Sequence, residues 1–431
     1  MTTHVQPAAN AAPRSAADEL HPVLTALLGD PLGVRVSFWD GSTTGADDGP
    51  GTLHVRTPEA LRRILWAPGE LGLARAFVCG DLDAEGDIID MLTAVRHRAP
   101  REQPWVRDLP GAVAAARRLG VLGPPPPPPG IEFRPRSLRR HTIRRDAEAV
   151  GHHYDVSNEF YAMVLGESMT YSCALFPDDD TGLADAQAAK HERVCRKLGL
   201  DRTPGSRLLD VGCGWGQMAI HAAQHHGAQV VGITISTEQA ALARERVAAA
   251  GVADQVEIRL QDYRELRGET FDVISSIGMS EHVGSANLVR YFETLRALLR
   301  PTGRLLNHAI SSIGGSKLPT RGFIHRYVFP DGELIDVGDS VLAMQRAGFE
   351  IRDVESLREH YARTLRHWVA NLEQHWDAAV AEVGVERART WRLYMAASSV
   401  GFTDGGLNIH QVLGVAPTAD GHSAMPPVRP L

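Results

Sequence analysis

Residues Arg207–Gly216 read RLLDVGCGWG, and no other stretch of the chain constrains its fold as tightly. An apolar run closes at Asp210, a turn with Gly212, Gly214 and Gly216 follows, and an Ala-rich helical pattern runs from Met218 to His226. Strand, glycine turn and helix make a nucleotide-type pocket, because glycine turns sharply and lets a ligand reach the backbone without a Cβ in the way. Downstream, QVVGITI, the helical EQAALARERVAAAG, QVEIRLQ, FDVISSIG, a further helical stretch and GRLLNHAIS continue the alternation. Such βαβ repetition predicts an α/β, Rossmann-like architecture: a mainly parallel sheet with helices on both faces.

The strand ends select the ligand. In a dinucleotide enzyme the second strand ends in an acid that holds the ribose, about 20 residues past the turn. Here QVVGITIS offers Thr234 and Ser236, with Gln239 just beyond. The next strand ends in LQDYREL, placing Asp262 and Tyr263 where an adenine can be hydrogen-bonded and stacked. A pyrophosphate also favours an anion-friendly helix start, whereas Asp210 brings a negative charge to the turn. That suits a cationic cofactor without phosphates. S-adenosylmethionine fits and NAD does not, so the expected domain is a class I methyltransferase.

The 431 residues suffice for two or three domains, and a hydrophobic fraction of 43% provides for a packed core. No run of 18 apolar residues suggests a spanning helix, and the Ala/Pro-rich start lacks a signal-peptide core. Cys79, Cys173, Cys195 and Cys213 show no metal-type pairing and are too sparse for a disulfide scaffold, so reduced thiols, a cytoplasmic location and no bound metal are expected. Charge is uneven. From Arg96 to Arg145 twelve arginines face Glu102, Asp108 and Glu132, about +9 within a chain of net charge −7. A basic segment on an acidic protein marks either an anionic partner or a solvated linker.

Four regions are expected: a disordered start over 1–18, a small α+β accessory or dimerisation domain over 19–120, a Pro-rich and basic linker over 121–146 containing Pro124–Pro129, and the methyltransferase domain over 147–431. In the accessory domain VRVSFWDGS and TLHVR read as paired strands around a Gly/Asp-rich turn, while PEALRRILWAP and LGLARAFVCGDLDAEG read as helical. Gly, Pro and aromatics interrupt the pattern over about 312–345, where a lid is expected; helices over Glu359–Ala397 and a closing strand LNIHQVLGV follow. Trp368, Trp376 and Trp391 stand at helical spacing and read as core.

Nine segments then occur in a fixed order: HYDVSNEFY (His153–Tyr161), MTYSCALF (Met169–Phe176), LDVGCGWG, GITIS with Gln239, LQDYREL, GMSEHVG (Gly278–Gly284), LLNHAI, RYVFPDGEL and HYARTL. In these the chain resembles the cyclopropane-fatty-acyl-phospholipid synthase family over nearly its whole length, and the N-terminal unit is similar to that of its phospholipid-acting bacterial members. The resemblance implies a bicarbonate base held by Cys173, Glu281, His308 and Tyr361, with a backbone contact from Ile310. It also implies cofactor contacts from Tyr154, Tyr171, Ser172, Gly212, Gly214, Thr234, Gln239, Asp262 and Tyr263, beside Asp210 of the glycine turn. Taken singly, a Cys or His on an apolar strand is ordinary core, and Glu281 beside His282 is an ordinary surface pair; it is their joint occurrence that carries weight.

The chemistry is coherent with those residues. An isolated double bond is a poor nucleophile, and the carbocation left by methyl transfer must lose a proton before water reaches it. Ser280 stands before Glu281 where many relatives have Phe, and FIHRYVFPDGELIDVG resembles an actinobacterial branch that makes 10-methylene fatty acids. That product, formed on an oleoyl phospholipid of the inner membrane leaflet and completed by a separate reductase, is favoured over a cyclopropane. Peripheral membrane association is expected of such an enzyme. A methyltransferase for a soluble acceptor and a non-catalytic lipid- or cofactor-binding protein are the competing readings; the second is disfavoured by the intact Glu281, His308 and Tyr361. A nucleic-acid partner is disfavoured because the basic segment lacks interleaved aromatics and no base-flipping signature occurs.

Overall fold

A computed structural model of the chain describes residues 14–98, 109–133, 156–315, 322–330 and 332–427. The chain divides into two units, Met1–Gly130 and Ile131–Leu431.

The first unit holds a four-stranded sheet of β1 (Arg35–Phe38), β2 (Thr43–Gly45), β3 (Gly51–Val55) and β4 (Leu82–Gly86), in the order β2-β1-β3-β4. Five helices accompany it: α1 (Ala16–Leu28), α2 (Glu59–Trp66), α3 (Glu70–Val78), α4 (Ile88–Arg98) and α5 (Leu109–Arg118). One expectation holds and one changes. The strands around the Gly/Asp-rich turn do pair, but in parallel: β2 folds back on β1, and β3 then lies along the other edge of β1. DLDAEG, expected to be helical, is β4, because Gly80 at φ +81° ends the helical path and the next residues pair antiparallel with β3.

The proline run, expected at a domain boundary, is hydrogen-bonded to this unit, and the division into two units falls just after it at Gly130. Arg62 Nη2 donates to Pro124 O at 2.8 Å, Arg63 Nη1 to Pro127 O at 2.7 Å, and Trp66 Nε1 to Gly123 O at 2.9 Å. Extended proline backbone makes no internal hydrogen bonds, so its carbonyls are available to guanidinium donors. The basic stretch from Arg134 to Arg145 lies outside the described residues.

The second unit is built on seven strands: β5 (Arg207–Val211), β6 (Gln229–Thr234), β7 (Val256–Leu260), β8 (Phe271–Ile277), β9 (Leu299–Ser311), β10 (Glu350–Ser356) and β11 (Asn408–Val415). Their order is β10-β11-β9-β8-β5-β6-β7. Strands β5 to β9 are parallel, and the chain-terminal β10 and β11 add antiparallel pairing at one side. From β5 the chain runs outward through β6 and β7, then returns to place β8 on the other side of β5. That reversal leaves a crevice at the carboxyl ends of β5 and β8, the place where open α/β sheets bind ligands.

Helices α6 (Asn158–Leu165), α7 (Leu183–Leu198), α8 (Gln217–His226), α9 (Thr237–Ala249), α10 (Ser280–Val283), α11 (Leu288–Ala297), α12 (Phe323–Tyr327), α13 (Val337–Arg346), α14 (Arg358–Gln374), α15 (Trp376–Val383) and α16 (Val385–Thr403) complete the unit. Two core clusters form. One joins Val194, Leu198, Met218, Ala243 and Val247 of α7, α8 and α9; the other joins Leu288, Phe292, Leu295 and Met344 of α11 and α13. Residues 337–346, placed in the expected lid, therefore form a sheet-covering helix. Trp368 and Trp391 are buried as expected, while Trp376 is half-exposed. No helix among the described residues is long and apolar enough to cross a membrane.

Leu305 sits mid-strand in β9, between β8 and β11, and is fully buried. Leu305→Ala should cost about 2–5 kcal/mol through lost transfer energy and a residual cavity. Urea denaturation measures it, and a loss under about 1 kcal/mol would contradict a close-packed β9.

Candidate active site

The crevice at the β5/β8 switch point opens into a cavity of about 480 Å³. Its lining includes Tyr171, Ser172, Asp210, Gly212, Gly214, Thr234, Gln239, Asp262 and Tyr263. Tyr154 lies outside the described residues.

The glycine turn is shaped by its backbone. Gly212, Gly214 and Gly216 stand at φ of +75°, +54° and +82°, and the amides of Gly212 and Cys213 both donate to Ile233 O at 2.9 Å. A Cβ on Gly212 would come within 2.5 Å of Met279 Cγ, so a side chain there would both strain the turn and crowd the cavity. At the ends of β6 and β7, Thr234 Oγ1 donates to Gln239 Oε1 at 2.8 Å, and Ser236 caps α9. Asp262 accepts from the amide and guanidinium of Arg264, which tethers this acid, while Tyr263 meets Tyr291 edge-on at 4.9 Å. Beneath the turn, Asp210 Oδ1 accepts from Ser275 Oγ at 2.7 Å and Oδ2 has no partner; burial raises its pKa to about 6.

The residues expected to hold a base lie at the same edge of the sheet but outside the cavity lining. Glu281 follows β8 on α10, and its Oε1 accepts from Ile310 N at 2.8 Å while Oε2 is buried without a partner. Ile310 thus makes its backbone contact with Glu281. His308 lies two residues before Ile310 on β9, on the same face of the strand. Gln411, its partner across β11, donates from Nε2 to His308 Nδ1 at 3.1 Å, which leaves the imidazole proton on Nε2. That Nε2 is also buried and unpaired. Cys173 and Tyr361 meet at one carbonyl: Cys173 Sγ donates to Leu357 O at 3.6 Å, and Tyr361 N donates to the same oxygen at 3.1 Å.

Burial sets the protonation states. It pushes the Glu281 carboxyl up to about 7, drives His308 well below the usual imidazole range, and raises the Cys173 thiol. These residues thus offer a neutral imidazole N–H donor, a thiol and a carboxyl that titrates near neutrality. Around it the interior is aromatic. Tyr171 lies 5.3 Å from Trp368 and 5.7 Å from Trp391, Tyr161 lies 4.8 Å from Trp215, and Tyr171 Oη is 3.1 Å from Tyr394 Oη.

Three features escaped the sequence reading. Lys190 lines the cavity from α7, although its place on the helix's apolar stripe was a readable signal. Gln411 sets the His308 tautomer, and no sequence pattern marks that pairing. Cys195, His221 and His226 bring donor atoms within 4.8 Å of one another, and both imidazoles face Glu192.

An open parallel sheet, a glycine turn without a ribose-binding acid after β6, and polar strand ends for an adenosine define a class I S-adenosylmethionine-dependent methyltransferase. The profile of the mycolic acid cyclopropane synthetase family matches residues 141–412. The chain belongs to that family. It is 44% identical to a probable fatty acid methyltransferase of Mycobacterium tuberculosis, covering 96% of this chain and 97% of the relative. It is 36% identical to the tuberculostearic acid methyltransferase UfaA1 of the same organism, covering 88% and 87%. Mycolic acid cyclopropane synthase CmaA1, solved with S-adenosylhomocysteine (SAH) and CTAB, superimposes with a TM-score of 0.59 at 32% identity, over 62% of this chain and 98% of that one.

Because the Glu281 carboxyl has a raised folded pKa, its ionisation opposes folding: stability falls as pH rises from the ordinary carboxyl range through about 7. Glu281→Gln should therefore unfold later than wild type at pH 8, by about 1–3 kcal/mol, with the gain shrinking below pH 5. Denaturant titrations at the two pH values check the sign. A less stable variant at pH 8 would overturn the protonation assignment.

Proposed function

We propose that this methyltransferase adds one carbon from S-adenosylmethionine to the double bond of an oleoyl chain carried by a phospholipid, with a 10-methylene chain as the product. One observation carries the reading: two buried, unpartnered polar atoms of opposite character, Glu281 Oε2 and His308 Nε2, stand beside the cofactor crevice in aromatic surroundings. Buried polar atoms without partners are rare and call for a ligand.

The bound cofactor supplies an electrophilic methyl on a sulfonium. The electron pair of the double bond forms the new carbon–carbon bond at C10 as the methyl leaves sulfur, and the positive charge falls on C9. A hydride shift from C10 to C9 moves the charge to C10, and loss of a proton from the new methyl gives the methylene branch. Direct closure with loss of a proton gives a cyclopropane instead. Either route needs a dry site, because water would capture the cation, and the tyrosines and tryptophans around Tyr171 serve that purpose.

Bicarbonate fits the donor set at Glu281 and His308 and supplies a base when bound there; Cys173 and Tyr361 complete its surroundings. Glu281 Oε2 accepts a hydrogen bond, His308 Nε2 donates one, and Gln411 keeps that donor in place. Ile310 N fixes the Glu281 carboxyl. The methylene outcome is supported by the similarity to the tuberculostearic acid methyltransferase and by Ser280 before the catalytic acid. A saturated methyl branch would require a separate hydride-donating reductase. A phospholipid substrate at the cytoplasmic membrane face is supported by the family resemblance, by the N-terminal unit that lies beyond the part shared with CmaA1, and by the basic segment before the methyltransferase unit.

Two measurements test this. Expressed alone in a host rich in oleate, the protein should yield a one-carbon-longer acyl chain that chromatography separates from its cyclopropane isomer, and Glu281→Gln should abolish it. Wild-type turnover in Glu281→Gln would remove the site assignment, and a cyclopropane product would correct the outcome. Neutralising Arg134, Arg136, Arg139 and Arg140 should weaken sedimentation with anionic vesicles, each charge contributing at most about 1 kcal/mol at low salt. Unchanged vesicle binding would leave the basic segment without a docking role.

A further inference from the structure

Lys190 is a charged side chain that none of the chemistry above uses. It projects from the buried face of α7, which also carries Ala186, Gln187, Val194 and Leu198. Only 1% of its surface is exposed. Among the described residues its ammonium makes one hydrogen bond, donated to Ser172 Oγ at 2.9 Å, although it has three protons to give. Asp210, 2% exposed, lines the same cavity with Oδ2 unpaired. Among the described residues the two form no ion pair, yet each feels the other's charge.

A buried cation and a buried anion, both incompletely partnered and facing one cavity, are complementary to a ligand that carries both charges. An α-amino acid zwitterion is such a ligand. S-adenosylmethionine ends in one, whereas its adenosine portion calls for the uncharged and acceptor groups found at Thr234, Gln239 and Asp262. The Gly212–Gly214 turn lines the same cavity, and glycine there lets backbone approach a ligand closely. Burial brings Lys190 down to about 7 and Asp210 up to about 6, so the charged form of each is the one a bound zwitterion would stabilise. Cys173, Glu281 and His308 do not line this cavity, although Cys173 and His308 also feel the Lys190 charge.

We infer that Lys190 is a cofactor-binding residue: together with Ser172 it holds the α-carboxylate of the methionyl portion of S-adenosylmethionine, while Asp210 takes the α-ammonium. The inference rests on the cofactor assignment. It makes Ser172 a relay whose hydroxyl is oriented by Lys190, and it explains why a lysine occupies an apolar helix stripe.

The test removes the carboxylate from the ligand and the ammonium from the protein in turn. Calorimetry on the full chain compares SAH, its decarboxylated analogue, and 5′-methylthioadenosine, which lacks the amino acid portion. Wild type should bind SAH at least about tenfold more tightly than the decarboxylated analogue, the scale of one charged hydrogen bond. Lys190→Met should lose that discrimination while binding 5′-methylthioadenosine as wild type does. Retained discrimination in Lys190→Met, or equal weakening of all three ligands, would overturn the inference. Should the variant not fold, wild type still decides: equal affinity for SAH and its decarboxylated analogue refutes the carboxylate contact, and tenfold discrimination lost in Ser172→Ala upholds it. Failure of wild type to bind SAH at all would instead strike the cofactor assignment.

Discussion

Everything at this site depends on the reversal of strand order beside β5. Because β6 and β8 flank β5 and the chain leaves them in opposite directions, no connection covers the carboxyl ends of the central strands. The loops that follow β5, β6, β7 and β8 therefore surround an opening instead of filling it. Asp210, Thr234, Asp262 and Glu281 all come from those strand ends, which is why residues so far apart in sequence share one edge of the sheet. The antiparallel β11 then supplies Gln411 beside His308, so the added strand both completes the sheet and completes the site.

Placing ionisable groups there carries a cost that the fold does not relieve by itself. Asp210, Lys190 and His308 are buried, the half-buried Glu281 encloses its Oε2, and burial shifts each toward its neutral form. Elsewhere in the unit charges are matched: Arg193 and Lys197 both pair with Glu355, and Arg207 pairs with Glu269. Near the cavity, by contrast, Asp210 Oδ2, Glu281 Oε2 and His308 Nε2 have no partner among the described residues. Local loss of stability at such a place is the usual signature of a site arranged for its ligand and not for the free protein.

Much of the fold was legible beforehand because its signals are local. Apolar runs closed by turns marked the five parallel strands, and the strand QVVGITI, ending in Thr234 where a dinucleotide enzyme has an acid, separated methyl-donor from dinucleotide binding. The errors arose where pairing or packing overrides local pattern. DLDAEG continues a helical pattern in LGLARAFVCG, yet beyond Gly80 it is a strand because it pairs antiparallel with β3. Residues 337–346 follow a Gly/Pro-rich stretch, yet Ala343 and Met344 are drawn into the core. The polyproline run reads as a spacer, but the arginines of α2 capture its carbonyls. Within the site, Lys190 stands on the apolar stripe of α7, a local signal, but only the docked helix shows that its ammonium reaches the cavity.

The sequence by itself determined the class of pocket and the charge preference of its cofactor, which follow from residue type and short-range spacing, while the polar residues Cys173, Glu281, His308 and Tyr361 were implied only by the family resemblance. Tertiary structure decided which of those residues meet. The hydrogen bond between Ile310 and Glu281, the proton placed on His308 Nε2 by Gln411, and the shared cavity of Lys190 and Asp210 each join segments separated by 20 or more positions. Such contacts arise only when the strands take their order and the helices dock, and burial then sets the protonation states that no isolated stretch of chain possesses.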